Sequence, residues 1–232
     1  MYVYQVTLNI KLFIEIPFKE LQIEISKLID TALAKNQKWL AFHEENQFKN
    51  YCFNGIYAPP TDGSNTKIGK VYTLAIRTPE IELASYFSEK LVGTKTNTMQ
   101  AVSVNLRILS LDRPIEKMYS LTSVIVKTDG GYWKGNLSLE EYEKRIFENL
   151  IKKYNALHEE KMDENFAFST SFAFTNKKPI SFPYKNIKLL GDKIEIMIET
   201  NDRAQELAKV AIACGIGELN ARGAGFVLYK TI

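Results

Sequence analysis

One order of hydrophobic periods occurs twice along this chain, and the repetition constrains the fold more tightly than any segment alone. Positions 2–16 largely alternate, with Val3, Val6, Leu8, Ile10, Leu12 and Ile14 apolar, which is the two-residue period of a half-buried strand. Over 18–40, Leu21, Ile25, Leu28, Ile29, Ala32 and Leu33 recur at helical spacing behind Pro17, a residue that suits a helix start. Strands are predicted at 48–57 and 70–77, either side of the turn cluster Pro59-Pro60-Thr61-Asp62-Gly63-Ser64. Pro79 then opens a second helix through Leu91, and 101–111 returns as a strand.

After Arg113-Pro114 the order begins again. A strand pattern covers 119–127, glycines mark a turn at 130–135, and Ser138-Leu139-Glu140-Glu141 reads as the capping box of a helix. Strands at roughly 165–174 and 180–198 follow, then a helix at 202–214 capped by Asn201 or Asp202, then a last strand at 225–231. Each half therefore reads β-α-β-β-α-β, which folds as an antiparallel four-stranded sheet with two helices on one face. The expected class is α+β, with two tandem ferredoxin-like units at 1–115 and 116–232.

At 232 residues, 45% of them hydrophobic, the chain can bury cores for two such units without disulfides or structural metal. Cys52 and Cys214 are its two cysteines and neither lies in a Cys-x-x-Cys or Cys/His cluster, so a reducing cytoplasmic setting is expected and a zinc site is not. The N-terminal segment has no basic stretch followed by an apolar run, and no run is long enough to span a bilayer. No membrane partner and no cofactor or metal are expected.

The formal net charge of +3 is too small to name a partner. Its distribution is more informative, because Lys177, Lys178, Lys185, Lys188 and Lys193 crowd into 176–193 against Asp192 alone. That patch can meet phosphates, or can simply keep a hairpin soluble. Downstream, Gly215, Gly217, Gly223 and Gly225 frame Arg222 between the last helix and the last strand. Glycines let backbone approach a ligand closely and Arg supplies a planar cation, so this loop is a candidate anion cradle. It lacks the Lys-Ser/Thr ending of a P-loop and does not open a helix. Adjacent carboxylates such as Glu44-Glu45 do not converge on one ion, which disfavours metal-dependent hydrolysis.

Three regions stand together: 42–53 with His43, Lys49, Tyr51 and Cys52; 118–127; and the glycine loop, Gly215-Ile216-Gly217 through Gly223-Ala224-Gly225-Phe226. In kind and order they resemble the CRISPR-associated endoribonucleases that process precursor CRISPR RNA, within the repeat-associated mysterious protein superfamily, nearly end to end. The resemblance implies metal-independent cleavage in which the 2′-hydroxyl attacks the adjacent phosphate and leaves a cyclic phosphate and a 5′-hydroxyl. It implies CRISPR repeat RNA as partner; other CRISPR effector-complex subunits and a homodimer are the protein partners it leaves open.

Such chemistry needs groups to take and give protons and a cation for the developing charge. The resemblance puts the catalytic histidine at His43, expected at a loop-to-strand junction, and a lysine at Lys49. Several family members add a tyrosine from the first helix, but 18–40 contains none, so Tyr51 completes the set or His43 and Lys49 act as a pair. Gly215, Gly217, Arg222, Gly223 and Gly225, with Lys177, Lys178 and Lys185, are the expected RNA contacts. For Arg222 the alternative is a salt bridge to Glu218 or Asp202, and for the glycines a tight helix-to-strand turn. The alternative for the whole chain is a catalytically silent RNA-binding subunit of the same superfamily.

Overall fold

The structure is a computed structural model that describes residues 1–45, 47–57 and 65–232; the turn cluster expected at 59–64 lies outside the described residues. Strand β1 (Val3–Leu12) pairs antiparallel with β3 (Val71–Thr78) on one side and β4 (Met99–Leu109) on the other, and β2 (Cys52–Phe53) closes the edge beyond β3. The order β2-β3-β1-β4 is the split βαβ arrangement. Val6, Leu8, Ile10 and Leu12 of β1 are buried under helices α1 (Phe18–Leu33) and α3 (Ile81–Lys90).

The helix expected over 18–40 is two helices. Asn36 breaks it: its side chain accepts a hydrogen bond from Lys38 N at 2.9 Å and caps a new helix, α2 (Gln37–Glu44). Asparagine competes with helical backbone in this way, which makes it a better cap than an interior residue. The change moves His43 from the expected loop into the last turn of α2. The strand expected at 48–57 shortens to two residues because Asn54 replaces ladder pairing with its side chain, Oδ1 accepting from Ala75 N at 2.7 Å.

The second sheet contains β5 (Ile115–Ser120), β6 (Ser169–Phe174), β9 (Ile194–Ile198) and β10 (Val227–Thr231) in the order β10-β5-β9-β6. Counted within its own unit, each sheet runs fourth, first, third, second or its reverse. Helices α4 (Leu139–His158) and α5 (Asp202–Cys214) cover the second sheet. Ser138 forms the expected capping box with Glu141, and Asn201 rather than Asp202 caps α5 by accepting from Ala204 N. The strand expected at 180–198 is instead a separate hairpin, β7 (Ile180–Tyr184) and β8 (Ile187–Gly191), followed by β9. This hairpin is an insertion in the second unit and leans toward α1 of the first.

Buried polar contacts join the two units. Arg77 of β3 stacks over Phe226 with 4.3 Å to the ring centroid, donates to Val227 O at 2.7 Å, and donates to Gln5 Oε1 at 3.0 Å. Gln22 of α1 donates to Gly223 O at 2.8 Å. Among the described residues no helix is long and apolar enough to cross a membrane.

Candidate functional site

A cleft of about 560 Å³ opens where the C-terminal end of α2, the segment 47–51, α4, the tip of the β7–β8 hairpin and the loop 217–222 meet. His43, Lys49, Tyr51, Lys153, Lys185 and Arg222 all line it. The structure thus gathers residues from both units that are up to 179 positions apart, from His43 to Arg222. Among the described residues no group of three or more His, Cys, Asp or Glu side chains comes together as a metal site.

His43 is half-buried, and its Nδ1 lies 3.4 Å from Asp30 Oδ1 of α1. Lys49 does not stand free: its Nζ donates to Phe42 O and to Glu45 O, the latter at 2.7 Å, and lies 4.9 Å from the Phe42 ring centroid. The lysine thereby caps carbonyls at the end of α2, which otherwise lack partners. Burial lowers its pKa from the ordinary value, with Glu45 opposing and Arg222 reinforcing.

Tyr51 is 1% exposed and packs edge-on against Phe87 at 5.4 Å. Burial, then the charge of Asp30, pushes its hydroxyl well above the usual phenol range, against a smaller opposing effect of Arg222. At neutral pH it is a protonated hydrogen-bond donor in the cleft wall. Tyr51, expected to complete the catalytic set, thus stands in the cleft wall as a protonated phenol.

The glycine loop differs from the expected anion cradle. The N–H groups of Gly215, Gly223 and Gly225 donate to Ala211 O, Asn220 O and Ser123 O, each at 2.9 Å. These three amides are links within the fold, not free donors. Gly225, at φ 65°, runs so close to Ile216 that an added Cβ would stand 1.9 Å from its carbonyl oxygen, and Gly217, at φ 68°, would meet Ile125 O at 2.6 Å. Arg222 forms its salt bridge with Asp30, through Nη1 to Oδ2 at 2.5 Å, and not with Glu218 or Asp202. Arg222 lines the cleft with its side chain 35% exposed.

The lysines of the hairpin region separate. Lys185 sits at the tip, in a left-handed conformation with φ 52°, and lines the cleft. Lys177 and Lys178 precede the hairpin's base and are exposed, but they do not line the cleft. The five-residue arms hold the two ends about 15 Å apart, with Lys185 at the cleft and Lys177 and Lys178 at the far end of the hairpin.

A family model described as "CRISPR associated protein Cas6, C-terminal" matches residues 113–229, just over half of the chain. The chain belongs to the Cas6 family. It is 24% identical over 218 residues to "CRISPR-associated endoribonuclease Cas6 2" of Methanocaldococcus jannaschii, covering 84% of this chain and 87% of that one. It shares its fold with a solved "CRISPR associated protein Cas6" (TM-score 0.70, 19% identity, 98% of this chain and 99% of the other). "An RAMP protein binding different RNA substrates" superposes with TM-score 0.73 at 14% identity, over 98% and 99% of the two chains.

The part of the chain matched to Cas6 holds the glycine loop and α4, whereas Asp30, His43, Lys49 and Tyr51 lie outside it. Two residues at this cleft do not stand out in the motifs of the sequence. Lys153 of α4 is 3% exposed and donates to Gly215 O, Gly217 O and Asn220 Oδ1 at 2.7, 2.9 and 2.7 Å. A signal for it does exist, because Tyr142, Ile146, Leu150 and Lys153 are spaced by four, four and three, one helix stripe with a lysine at a core position. Asp30 has no such signal, since its partners are 13 and 192 residues away.

Proposed function

We propose that this chain is a metal-independent endoribonuclease that cuts CRISPR repeat RNA. The 2′-oxygen forms a bond to the adjacent phosphorus, the bond from phosphorus to the 5′-oxygen breaks, and the products carry a cyclic phosphate and a 5′-hydroxyl. The observation that carries this reading is His43, a half-buried imidazole facing a cleft whose lining includes the cations Lys49, Lys127, Lys185 and Arg222 beside the carboxylates Glu44, Glu45 and Glu218. Histidine transfers protons near neutrality, and the surrounding cations offset charge on the attacked phosphate. Membership of the Cas6 family and the endoribonuclease named among its relatives support the assignment.

In this reading His43 takes the proton from the 2′-hydroxyl or delivers one to the 5′-oxygen. Lys49 uses two of its three N–H groups on α2 carbonyls, which leaves one for a phosphate oxygen. Arg222 likewise keeps donors beyond its bond to Asp30. Lys185, carried on the hairpin tip, contacts the RNA backbone. The glycine loop sets the position of Arg222 more than it supplies donors of its own.

A second reading, a silent RNA-binding subunit, is favoured by one observation: Lys49 and Arg222 are both already engaged within the protein. Incubating the protein with a CRISPR repeat RNA in excess chelator separates the two. Products with cyclic phosphate ends, formed by the wild type and reduced about 10²- to 10⁴-fold by His43→Ala, support the endoribonuclease. Binding without cleavage supports the silent subunit, and cleavage that stops on chelation removes the metal-independent mechanism.

A further inference from the structure

Asp30 is a carboxylate shared between two cations that the chain brings together from far apart. Its Oδ2 accepts from Arg222 Nη1 at 2.5 Å, and its Oδ1 faces His43 Nδ1 at 3.4 Å. Oδ1 is buried and accepts no hydrogen bond among the described residues. A buried carboxylate oxygen without a donor is costly, and the imidazole nitrogen opposite, 3.4 Å away, supplies one if the ring turns and closes by about 0.5 Å. Catalytic hydrogen bonds are often long before substrate binds and tighten afterwards.

We propose that Asp30 is a positioning residue that holds the His43 ring through Nδ1 and so presents Nε2 to the RNA. This rests on the reading of His43 as the proton-transfer residue. An acceptor at Nδ1 fixes the tautomer with the proton on that nitrogen and leaves Nε2 as the basic atom. When Nε2 takes a proton, the carboxylate stabilises the imidazolium formed. Arg222 completes the arrangement by occupying Oδ2, which stops the carboxylate from turning its second oxygen away from His43. The arginine of the glycine loop therefore reaches the chemistry through Asp30 as well as through any phosphate it meets. Neither Lys49 nor Tyr51 orients the ring in this way, because the lysine is directed at α2 carbonyls and the tyrosine is packed on Phe87.

The test uses the full chain and Asp30→Asn, which keeps the shape but removes the charge and can turn an N–H toward Nδ1. Single-turnover cleavage of saturating repeat RNA is expected to fall about ten- to a hundredfold. Affinity for the same RNA with a 2′-deoxy nucleotide at the cleavage site is expected to stay within about twofold. Asp30→Glu, which retains the charge, is expected to recover part of the lost rate. Nitrogen-15 NMR of the neutral imidazoles gives a readout independent of cleavage, with His158, the only other histidine, as internal control. The expected result is a proton on Nδ1 of His43 in the wild type and on Nε2 in Asp30→Asn. An unchanged cleavage rate, a parallel loss of rate and affinity, or a wild-type proton on Nε2 overturns the proposal. If the wild type cleaves no repeat RNA, the endoribonuclease reading fails, and the NMR result alone still decides whether Asp30 holds His43.

Discussion

Lys153 donates to Asn220 Oδ1 at 2.7 Å, with both residues buried in the body of the protein. The amide nitrogen of Asn220 in turn donates to Ile216 O and Ala224 O, each at 3.0 Å. One ammonium, three oxygens and one amide thus tie the two arms of the glycine loop together and set where Arg222 emerges. An ammonium has three N–H groups, and Gly215, Gly217 and Asn220 accept one each. Replacing it by Lys153→Met removes a buried charge but leaves these three acceptors without a donor. We expect a loss of about 2–4 kcal/mol in unfolding free energy, measured by denaturant titration.

The same lysine carries a pH signature. Burial lowers its pKa from 10.5 to about 8, while Cys214, Cys52 and Glu218 oppose the shift. Between these values the unfolded chain holds a proton that the folded protein has released, so the lysine's contribution to stability rises with pH across that window. The burial cost is present in full below about pH 8 and has faded by about pH 10.5. Burial pushes the thiols of Cys52 and Cys214 upward, Cys52 to about 12, and these lower stability at high pH in any variant that keeps them. The difference between wild type and Lys153→Met cancels the thiols to first order. It is expected to move in favour of the wild type by on the order of 3 kcal/mol from about pH 7 to about pH 10.5; a flat difference across parallel unfolding curves would contradict the assigned shift.

Only one of the three candidate lysines near the hairpin lines the cleft. Lys185→Ala is expected to weaken repeat-RNA binding and to reduce the slope of log affinity against log salt by about one. Lys177→Ala and Lys178→Ala are expected to leave the slope within error of wild type. Fluorescence anisotropy at several salt concentrations measures all three, and equal effects would place RNA along the whole hairpin.

Gly225 and Gly93 have similar backbone angles, φ 65° and 76°, but different surroundings. A Cβ at Gly93 meets nothing within 4 Å, so Gly93→Ala is expected to cost about 1–2 kcal/mol from the left-handed backbone alone. At Gly225 the same atom collides with Ile216 O, and the loop must move. Gly225→Ala is expected to cost more than about 3 kcal/mol, with thermal or denaturant unfolding as the measure.

Local pattern is enough for much of the fold. Alternation marks β1, the Ser138 capping box marks α4, and Asn201-Asp202 marks the start of α5, because each depends on neighbours within a few residues. The breaks are harder to read. Asn36 and Asn54 interrupt apolar patterns with single side-chain hydrogen bonds, and periodicity averages over such events. The family resemblance picks out His43 and Lys49 as a pair, and both do line one cleft. It does not show that Lys49 spends two of its donors at the end of α2, or that the amides of Gly215, Gly223 and Gly225 are occupied within the fold.

The sequence by itself determined the repeated order of strands and helices, the Ser138 capping box, and the turn residues of the glycine loop, since these follow from short-range sterics and hydrogen bonding. Tertiary structure alone decided what the charges at and around the cleft face. Asp30 meets Arg222, 192 residues away, because the two units pack against each other, and Lys153 meets Gly215, 62 residues away, because α4 and the glycine loop come together within the second unit. Electrostatic partners are set by distance in space and by exclusion of water, and neither quantity is written in the order of the residues.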